Sequence, residues 1–346
     1  MAKRILSECV WLASFIALTC APTSLFLNGQ EVSYFWPASG IAVAAVLCRG
    51  PLWVLLPFAV NLYTLNRGLH RLDASFLTAL GLAAETLAGA WVFKSVLGGD
   101  PRLRQRGDLL KFLLGSVIFA PVIGATVGAA VWGQYGVIEW DRMHTAWLCW
   151  WYGESIGILF AAPILMGGIA PLFESMRARP VESALLVFAT IVSSSAVFFA
   201  STDITPILRA PIAILPLPFL YWGAARIGTS FTAVLLTIFG ILLTMGTAHG
   251  FGPFSPITSA TQLVVLWVYG QIIGMTALVS SSLLSERDEA VHALRVSENR
   301  FRNLVESGPS MVYAHPHEDA TRLVYIGPQS SDLLGFTPEE CYAQQG

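Results

Sequence analysis

Long apolar stretches separated by short polar ones make up the chain as far as Leu284. The pattern changes at Ser285-Glu286-Arg287-Asp288-Glu289, and the sequence stays polar from there to Gly346. A helix needs about 20 apolar residues to cross the hydrocarbon core of a bilayer, and many of the stretches approach that length. The pattern therefore predicts an all-α polytopic membrane helix bundle at residues 1–284, followed by a water-soluble part.

Ten apolar segments are candidates for membrane-spanning helices. They are Cys9–Leu27, Tyr34–Cys48, Leu52–Leu65, Ala74–Leu97, Leu109–Gly133, Ala146–Ala170, Val181–Ser201, Ile207–Gly223, Thr229–Thr247 and Thr261–Leu283. The second and third are short and are separated by Arg49-Gly50-Pro51, so they form either two short spans or a re-entrant pair. We therefore expect about ten segments, either as ten spans or as eight full spans with one short pair.

The composition supports a lipid environment. Charged residues make up 12% of the chain and apolar residues 55%, whereas about 25% of the residues of an ordinary soluble domain are charged. The net charge of −2 gives no indication of nucleic-acid binding. The five cysteines include no close pair of the kind that zinc and redox motifs use. The expected partner of most of this surface is the lipid bilayer.

Basic residues are distributed unevenly between the two sides of the predicted bundle. With a cytoplasmic N-terminus, the inner side receives Lys3, Arg4, Arg49, Arg102, Arg104, Arg106, Arg177, Arg179 and Arg226. The outer loops receive Arg67, Arg71, Arg142 and Arg209. Because basic residues favour the cytoplasmic side of a membrane, this bias and an even number of spans predict that both termini are cytoplasmic.

Two membrane segments resemble each other. Trp150-Trp151-Tyr152-Gly153-Glu154-Ser155-Ile156-Gly157 aligns with Trp267-Val268-Tyr269-Gly270-Gln271-Ile272-Ile273-Gly274. The similarity indicates either an internal duplication or a coincidence between helices rich in glycine and tryptophan.

The polar part begins with a predicted linker helix at residues 285–307. An apolar stripe with the three- and four-residue periodicity of a helix runs along it through Leu284, Val291, Leu294, Phe301 and Leu304 or Val305. The stripe is shorter than the three to four heptads that indicate a coiled coil. Two interpretations stay open: a helix that joins two copies in a homodimer, and a solvated linker.

Residues 308–346 and the end of the linker resemble the beginning of a PAS domain. Ser297–Ser307 precedes an apolar strand at Met311–Tyr313, and a second strand follows at Leu323–Ile326. The stretch Leu334-Gly335-Phe336-Thr337-Pro338-Glu339-Glu340 is similar to a turn of that family. The resemblance implies the first half of an α/β PAS fold, truncated at residue 346.

The membrane part is similar to the first membrane-associated sensor (MASE) family. The motifs that carry the similarity are Phe35–Ala42, Trp150–Gly157 with Ala162-Pro163, Tyr221–Gly228 and Gly246–Phe254, in that order. The resemblance implies an integral inner-membrane sensory domain of a bacterial signalling protein, joined to a histidine kinase of a two-component system or to a diguanylate cyclase of cyclic di-GMP signalling.

Glu85 and Glu154 are carboxylates inside predicted spans, where a charge costs about 2.5–3.5 kcal/mol on insertion scales. Both lie at a similar distance from the outer end of their span, at about 1.5 Å per residue. One interpretation is a ligand pocket that also contains Trp36, Trp150, Tyr152 and Tyr269. The other is a pair of glutamates that holds helices together.

The sequence contains no motif for catalysis or metal binding that we can identify. His70, His144 and His249 fall in predicted outer loops at spacings that match no metal motif. No nucleotide-binding loop or phospho-acceptor motif occurs, so the chain is not expected to be an enzyme, and any output enzyme would follow residue 346. Catalytic and metal residues are predicted as none, and cofactors remain unknown.

These observations favour a sensory input module that responds to an unknown small ligand or to a membrane protein. The rivals are a secondary transporter, which also uses repeats and buried carboxylates, and a membrane anchor. A helix that runs directly into a PAS domain distinguishes the sensor, since a transporter does not need one.

Overall fold

The structure is a computed structural model, and it describes residues 34–103, 105–199, 212–255, 260–308, 310–316 and 323–343. The contacts divide the chain into two units, and the boundary along the chain falls between Ser285 and Glu286. The first predicted segment, Cys9–Leu27, lies outside the described residues, and so does the beginning of Ile207–Gly223.

The described part of the first unit is helical. Its helices are α1 (Pro37–Arg49), α2 (Leu55–Leu69), α3 (Leu72–Val96), α4 (Arg106–Gln134), α5 (Trp140–Met166), α6 (Ile169–Ala178), α7 (Pro180–Phe198), α8 (Leu217–Arg226), α9 (Thr229–Ala248) and α10 (Ala260–Glu306). The last turn of α3 and a central segment of α4 are π-helical. The expected all-α membrane helix bundle is present.

Six of these helices, α3, α4, α5, α7, α9 and α10, are long and apolar enough to cross a membrane. The predicted total of about ten segments is not tested, because two of them lie wholly or partly outside the described residues. The predicted short pair corresponds to α1 with 13 residues and α2 with 15, against about 20 for a full crossing. The chain turns between them at Gly50, whose φ of 108° is in the region that favours glycine.

Helix α5 forms the centre of the bundle. Helices α1, α4 and α9 pack against it, while α3 packs between α2 and α4. Every residue from Tyr152 to Pro163 is buried. A helix that is apolar on all sides belongs in the interior of such a bundle, and this one carries the motif around Glu154.

Two hydroxyl groups of α9 donate hydrogen bonds to backbone carbonyls of α5 near Pro163, the proline inside α5. Ser230 donates to the carbonyl of Pro163 at 3.3 Å, and Thr237 donates to the carbonyl of Phe160 at 3.2 Å. Phe160 also packs against Phe239 of α9, with ring centroids 6.3 Å apart. Such polar contacts between helices add to van der Waals packing where lipid surrounds the bundle.

The second unit contains the rest of α10, a short hairpin and two short helices. Strand β1 (Tyr313–Ala314) pairs antiparallel with β2 (Tyr325–Ile326), and α11 (Ser330–Leu334) and α12 (Pro338–Ala343) follow. The first predicted strand, Met311–Tyr313, overlaps β1 only at Tyr313, and the second, Leu323–Ile326, is reduced to its last two residues. These elements do not establish a PAS fold, and that resemblance remains a prediction.

The side chain of Gln329 forms hydrogen bonds at the C-terminal end of α10. Its amide nitrogen donates to the carbonyls of Val305, Glu306 and Gly308 at 2.7, 3.0 and 2.9 Å. The last carbonyls of a helix have no partner within the helix, so this side chain satisfies groups that would otherwise need water.

Candidate functional site

Glu154 lies in the middle of α5 and is 3% exposed. Its carboxylate accepts a hydrogen bond from the hydroxyl of Ser39 on α1. The indole of Trp150, one turn earlier on α5, is a second hydrogen-bonding group for the same carboxylate. The glutamate of the Trp150–Gly157 motif is therefore bound by the serine of the Phe35–Ala42 motif, 115 residues away.

The backbone brings these two motifs together. The N–H of Trp36 donates to the carbonyl of Gly153 at 3.1 Å, and Pro37 then begins α1. A β-carbon at Gly157 would overlap the carbonyl of Trp36, so only glycine fits at that position. Close approach of helix backbones through small residues is common in membrane proteins.

Helix α1 continues along α5 at the same close distance. A β-carbon at Gly40 would lie 2.8 Å from the backbone nitrogen of Ala162 and 3.0 Å from the β-carbon of Ala161. Distances that short require the packed atoms to move. The contact therefore fixes the position of Ser39, one residue earlier on α1, relative to α5.

Glu85 lies on α3 and is 2% exposed. Its Oε2 atom has no hydrogen-bond partner among the described residues. The carboxyl packs against Gly124 of α4, where a β-carbon would overlap it. Glu85 and Glu154 are close enough to interact electrostatically, as their predicted similar depth in the bundle suggested. The cluster therefore contains two buried carboxyls and, in the described part of the chain, no ion pair to either of them.

Aromatic rings form one wall of this cluster. The ring of Trp150 packs on Gly128 of α4 and meets Trp132 edge to face, with ring centroids 5.0 Å apart. Trp132 in turn donates its indole N–H to Thr78 of α3 at 3.2 Å. Helices α3, α4 and α5 are thereby joined beside the two carboxyls.

The two candidate tyrosines belong to a second cluster. Tyr152 is 1% exposed, and its hydroxyl is unpartnered within the described ranges. Tyr269 of α10 is an electrostatic neighbour of Tyr152, and its own hydroxyl donates to the carbonyl of Ala213 at 2.5 Å. Residues two apart on a helix point in very different directions, which separates Tyr152 from Trp150.

The structure therefore distributes the six predicted site residues over two clusters. Glu85, Glu154 and Trp150 lie together, and Trp36 joins them through its backbone, while its side chain is half-buried. Tyr152 and Tyr269 lie together elsewhere. The role of these residues in ligand binding remains a prediction.

Sequence reasoning did not single out Ser155 and Gln271, which join α5 to α10. The amide of Gln271 donates to the hydroxyl of Ser155 at 2.7 Å, and the indole of Trp267 lies 3.4 Å from the same oxygen. The amide oxygen of Gln271, Oε1, is buried and has no partner in the described part of the chain. The repeat could have identified the residue, because Gln271 aligns with Glu154.

The two copies of the aligned motif are in contact. Trp151 packs on Trp267 with ring centroids 4.5 Å apart. A β-carbon at Gly270 would lie 2.9 Å from Ile156, and one at Gly274 would lie 2.8 Å from Leu159. The glycines of the second copy thus let α10 approach α5 closely, directly beside Glu154.

A metal site was not expected. Among the residues that the structure describes, no group of three or more histidine, cysteine, aspartate or glutamate side chains could hold a metal ion.

Comparison with known proteins identifies the membrane part. The MASE1 family model matches residues 8–288. No curated protein and no solved structure matches the chain. Because the family match covers most of the chain and includes both motifs that meet at Glu154, the protein belongs to the MASE1 family of membrane-associated sensor domains.

Proposed function

We propose that the membrane bundle is the input module of a bacterial inner-membrane signalling protein, and that α10 carries its signal into the cytoplasm. One observation carries the proposal: α10 bonds to the residue next to Glu154 through Gln271 and continues without a break to Glu306. A change of packing at the carboxyl cluster therefore has a direct mechanical route to the second unit.

The chemistry of the cluster limits what it would detect. Two close carboxyls in apolar surroundings are balanced best by a proton or by a small cationic ligand. Uptake or loss of such a charge changes the hydrogen bond that Ser39 makes to Glu154, and with it the contact between α1 and α5. The proposed signal is therefore a proton or a small cation.

The proposed output lies beyond the chain. Residues 308–346 would form the first part of a PAS domain, and a diguanylate cyclase or a histidine kinase would follow it. In this scheme the present chain senses and transmits, and it catalyses no reaction.

Dimerisation would let α10 act on a paired output domain. Leu294 and Phe301 are each 68% exposed on α10, and Val291 is exposed on the same stripe. Large apolar side chains at heptad-like spacing on a water-soluble helix gain most by packing against an identical helix. We include a homodimer through this stripe in the proposal.

Hydrogen–deuterium exchange of the chain in lipid nanodiscs tests the proposal. Glu85→Gln and Glu154→Gln each imitate a protonated carboxyl, because an amide has nearly the same shape and no charge. We expect folded protein in normal yield and altered exchange both around α5 and in residues 286–306. Glu174→Gln, at an exposed position of α6, is the matched control and should change neither region.

The same experiment separates the rival functions. Changes confined to the membrane bundle would indicate a transporter or an anchor and would contradict the proposal. Severe loss of folded protein with both substitutions would show that the two glutamates serve to hold helices together.

A further inference from the structure

An apolar groove lies between α6 and the first half of α7. Its volume is about 590 Å³. The lining residues are Phe173, Met176, Arg177, Pro180, Ser183, Ala184, Val187, Phe188 and Ile191. The lining side chains are apolar except for one hydroxyl and one guanidinium group, and none of these residues belongs to the carboxyl cluster.

The groove faces outward on a membrane-spanning helix. Phe173 is 51% exposed and Phe188 is 65% exposed. Helix α7 is one of the six helices that can cross a membrane, so acyl chains are the medium that its exposed side chains meet. From Pro180 to Ile191 the groove extends about 16 Å along α7, at 1.5 Å per residue. That length is close to one leaflet, half of a hydrocarbon core about 30 Å thick.

Helix α6 has the character of a helix that lies at the membrane surface. Leu172 is its buried residue, while Glu174 and Arg177 are exposed. An amphipathic helix of this kind rests at the boundary between headgroups and acyl chains. Its position next to the start of α7 places the polar end of the groove at headgroup level.

Arg177 supplies a positive charge at that end. Two neighbouring arginines, Arg179 and Arg226, each form an ion pair with the carboxylate of Glu182 at 3.2 Å. Arg177 forms no ion pair within the described part of the chain. An unneutralised guanidinium group beside an apolar groove is complementary to a molecule with an anionic head and a long apolar chain.

We propose that this groove binds one anionic phospholipid, with an acyl chain between Phe173, Phe188 and Ile191 and its phosphate on Arg177. Guanidinium groups bind phosphate oxygens through charge-assisted hydrogen bonds. The lipid would lie against α7 and would be a resident part of the bundle, distinct from the signal that the carboxyl cluster is proposed to detect.

Native mass spectrometry of the chain released from nanodiscs tests this site. The nanodiscs contain equal amounts of phosphatidylglycerol and phosphatidylcholine with identical acyl chains. We expect preferential retention of one phosphatidylglycerol molecule. Arg177→Ala should lower that retention about fivefold, the effect of one basic residue at an anionic surface. Ala184→Phe should lower the retention of both lipids, because the added ring fills the groove.

Two control variants distinguish an effect at the groove from the general effects of removing a charge or adding a larger side chain. Arg67→Ala removes an exposed arginine from α2, and Leu185→Phe adds bulk to an exposed position of α7 outside the groove. Both should retain phosphatidylglycerol normally. Equal retention of the two lipids, or equal effects of Arg177→Ala and Arg67→Ala, would overturn the proposal. So would disulfide cross-linking of two copies through Ala184→Cys, which would show that a second copy covers this face.

Discussion

Close contact between α1 and α5 depends on the absence of a side chain at residue 157. The carbonyl of Trp36 occupies the space where a β-carbon would lie, and the N–H of Trp36 is bound one turn earlier at Gly153. The same contact positions Ser39 for its hydrogen bond to Glu154. Gly157 therefore helps to hold Ser39 within hydrogen-bonding distance of Glu154.

Gly157→Ala should lower the free energy of unfolding by about 1–3 kcal/mol, the usual effect of overpacking a core. Reversible unfolding in mixtures of sodium dodecyl sulfate and dodecylmaltoside measures the change. Gly68→Ala is the control, because no atom lies within 4 Å of a β-carbon at that helical position. It should leave stability unchanged or raise it, since alanine favours a helix by about 1 kcal/mol over glycine. Equal stability of Gly157→Ala and the parent chain would contradict the packing described for α1.

At the scale of secondary-structure elements, α10 connects two regions with different surroundings. It is packed in the bundle at Leu266, Gly270 and Gly274, whereas its residues Leu294 and Phe301 are exposed. A helix transmits displacement and rotation along its axis as long as its hydrogen bonds are unbroken. The contact of Gln271 with Ser155 is where such a displacement would begin.

Gln271→Leu should uncouple the two regions. Leucine fills a similar volume but cannot donate to Ser155, so the exchange response of residues 286–306 to Glu154→Gln should disappear in the double variant. Gln134→Leu, at an exposed end of α4, is the matched control and should leave the response intact. Persistence of the response in Gln271→Leu would show that this hydrogen bond is not the connection.

The register of α10 should matter more than its surface charges. One inserted residue rotates the rest of a helix by about 100°, which turns Val291, Leu294 and Phe301 away from their original direction. An alanine inserted after Glu289 should therefore lock or invert the output of the full-length protein, and a seven-residue insertion should largely restore it. The assay is the enzymatic activity of the output domain in membranes.

Replacing Arg295 by alanine provides the comparison for those insertions. An exposed charge contributes only tenths of a kcal/mol, so the output should change little. If one-residue and seven-residue insertions were tolerated equally, α10 would be a flexible tether and not a transmitting rod.

At the scale of the whole molecule, the distribution of basic residues predicts that Ser285 faces the cytoplasm. Alkaline phosphatase fused after Ser285 should be inactive, because this enzyme matures only outside the cytoplasm. A fluorescent protein fused at the same position should fluoresce. A fusion in the loop between α4 and α5, at residues 135–139, should give the opposite pair of results. An active phosphatase and a non-fluorescent protein at Ser285 would show that the topology is inverted and that residues 286–306 lie outside the cytoplasm.

The sequence by itself determined where lipid is the solvent and where water is. Hydropathy is a local property that accumulates along each segment, so each of α3, α4, α5, α7, α9 and α10 overlaps a predicted segment. Helix α10 continues well beyond its predicted apolar segment, Thr261–Leu283, into the polar part of the chain. The total number of spans remains a prediction, because Cys9–Leu27 and the beginning of Ile207–Gly223 lie outside the described residues.

Only the tertiary structure decided which side chains meet. Ser39 contacts Glu154 across 115 positions of sequence, and Gln271 contacts Ser155 across 116. In a membrane both the inner and the outer face of a helix are apolar, so the hydrophobic pattern that orients a helix in a soluble protein carries little information. The rotation of α5 therefore could not be predicted, and that rotation places Glu154 between α1 and α3.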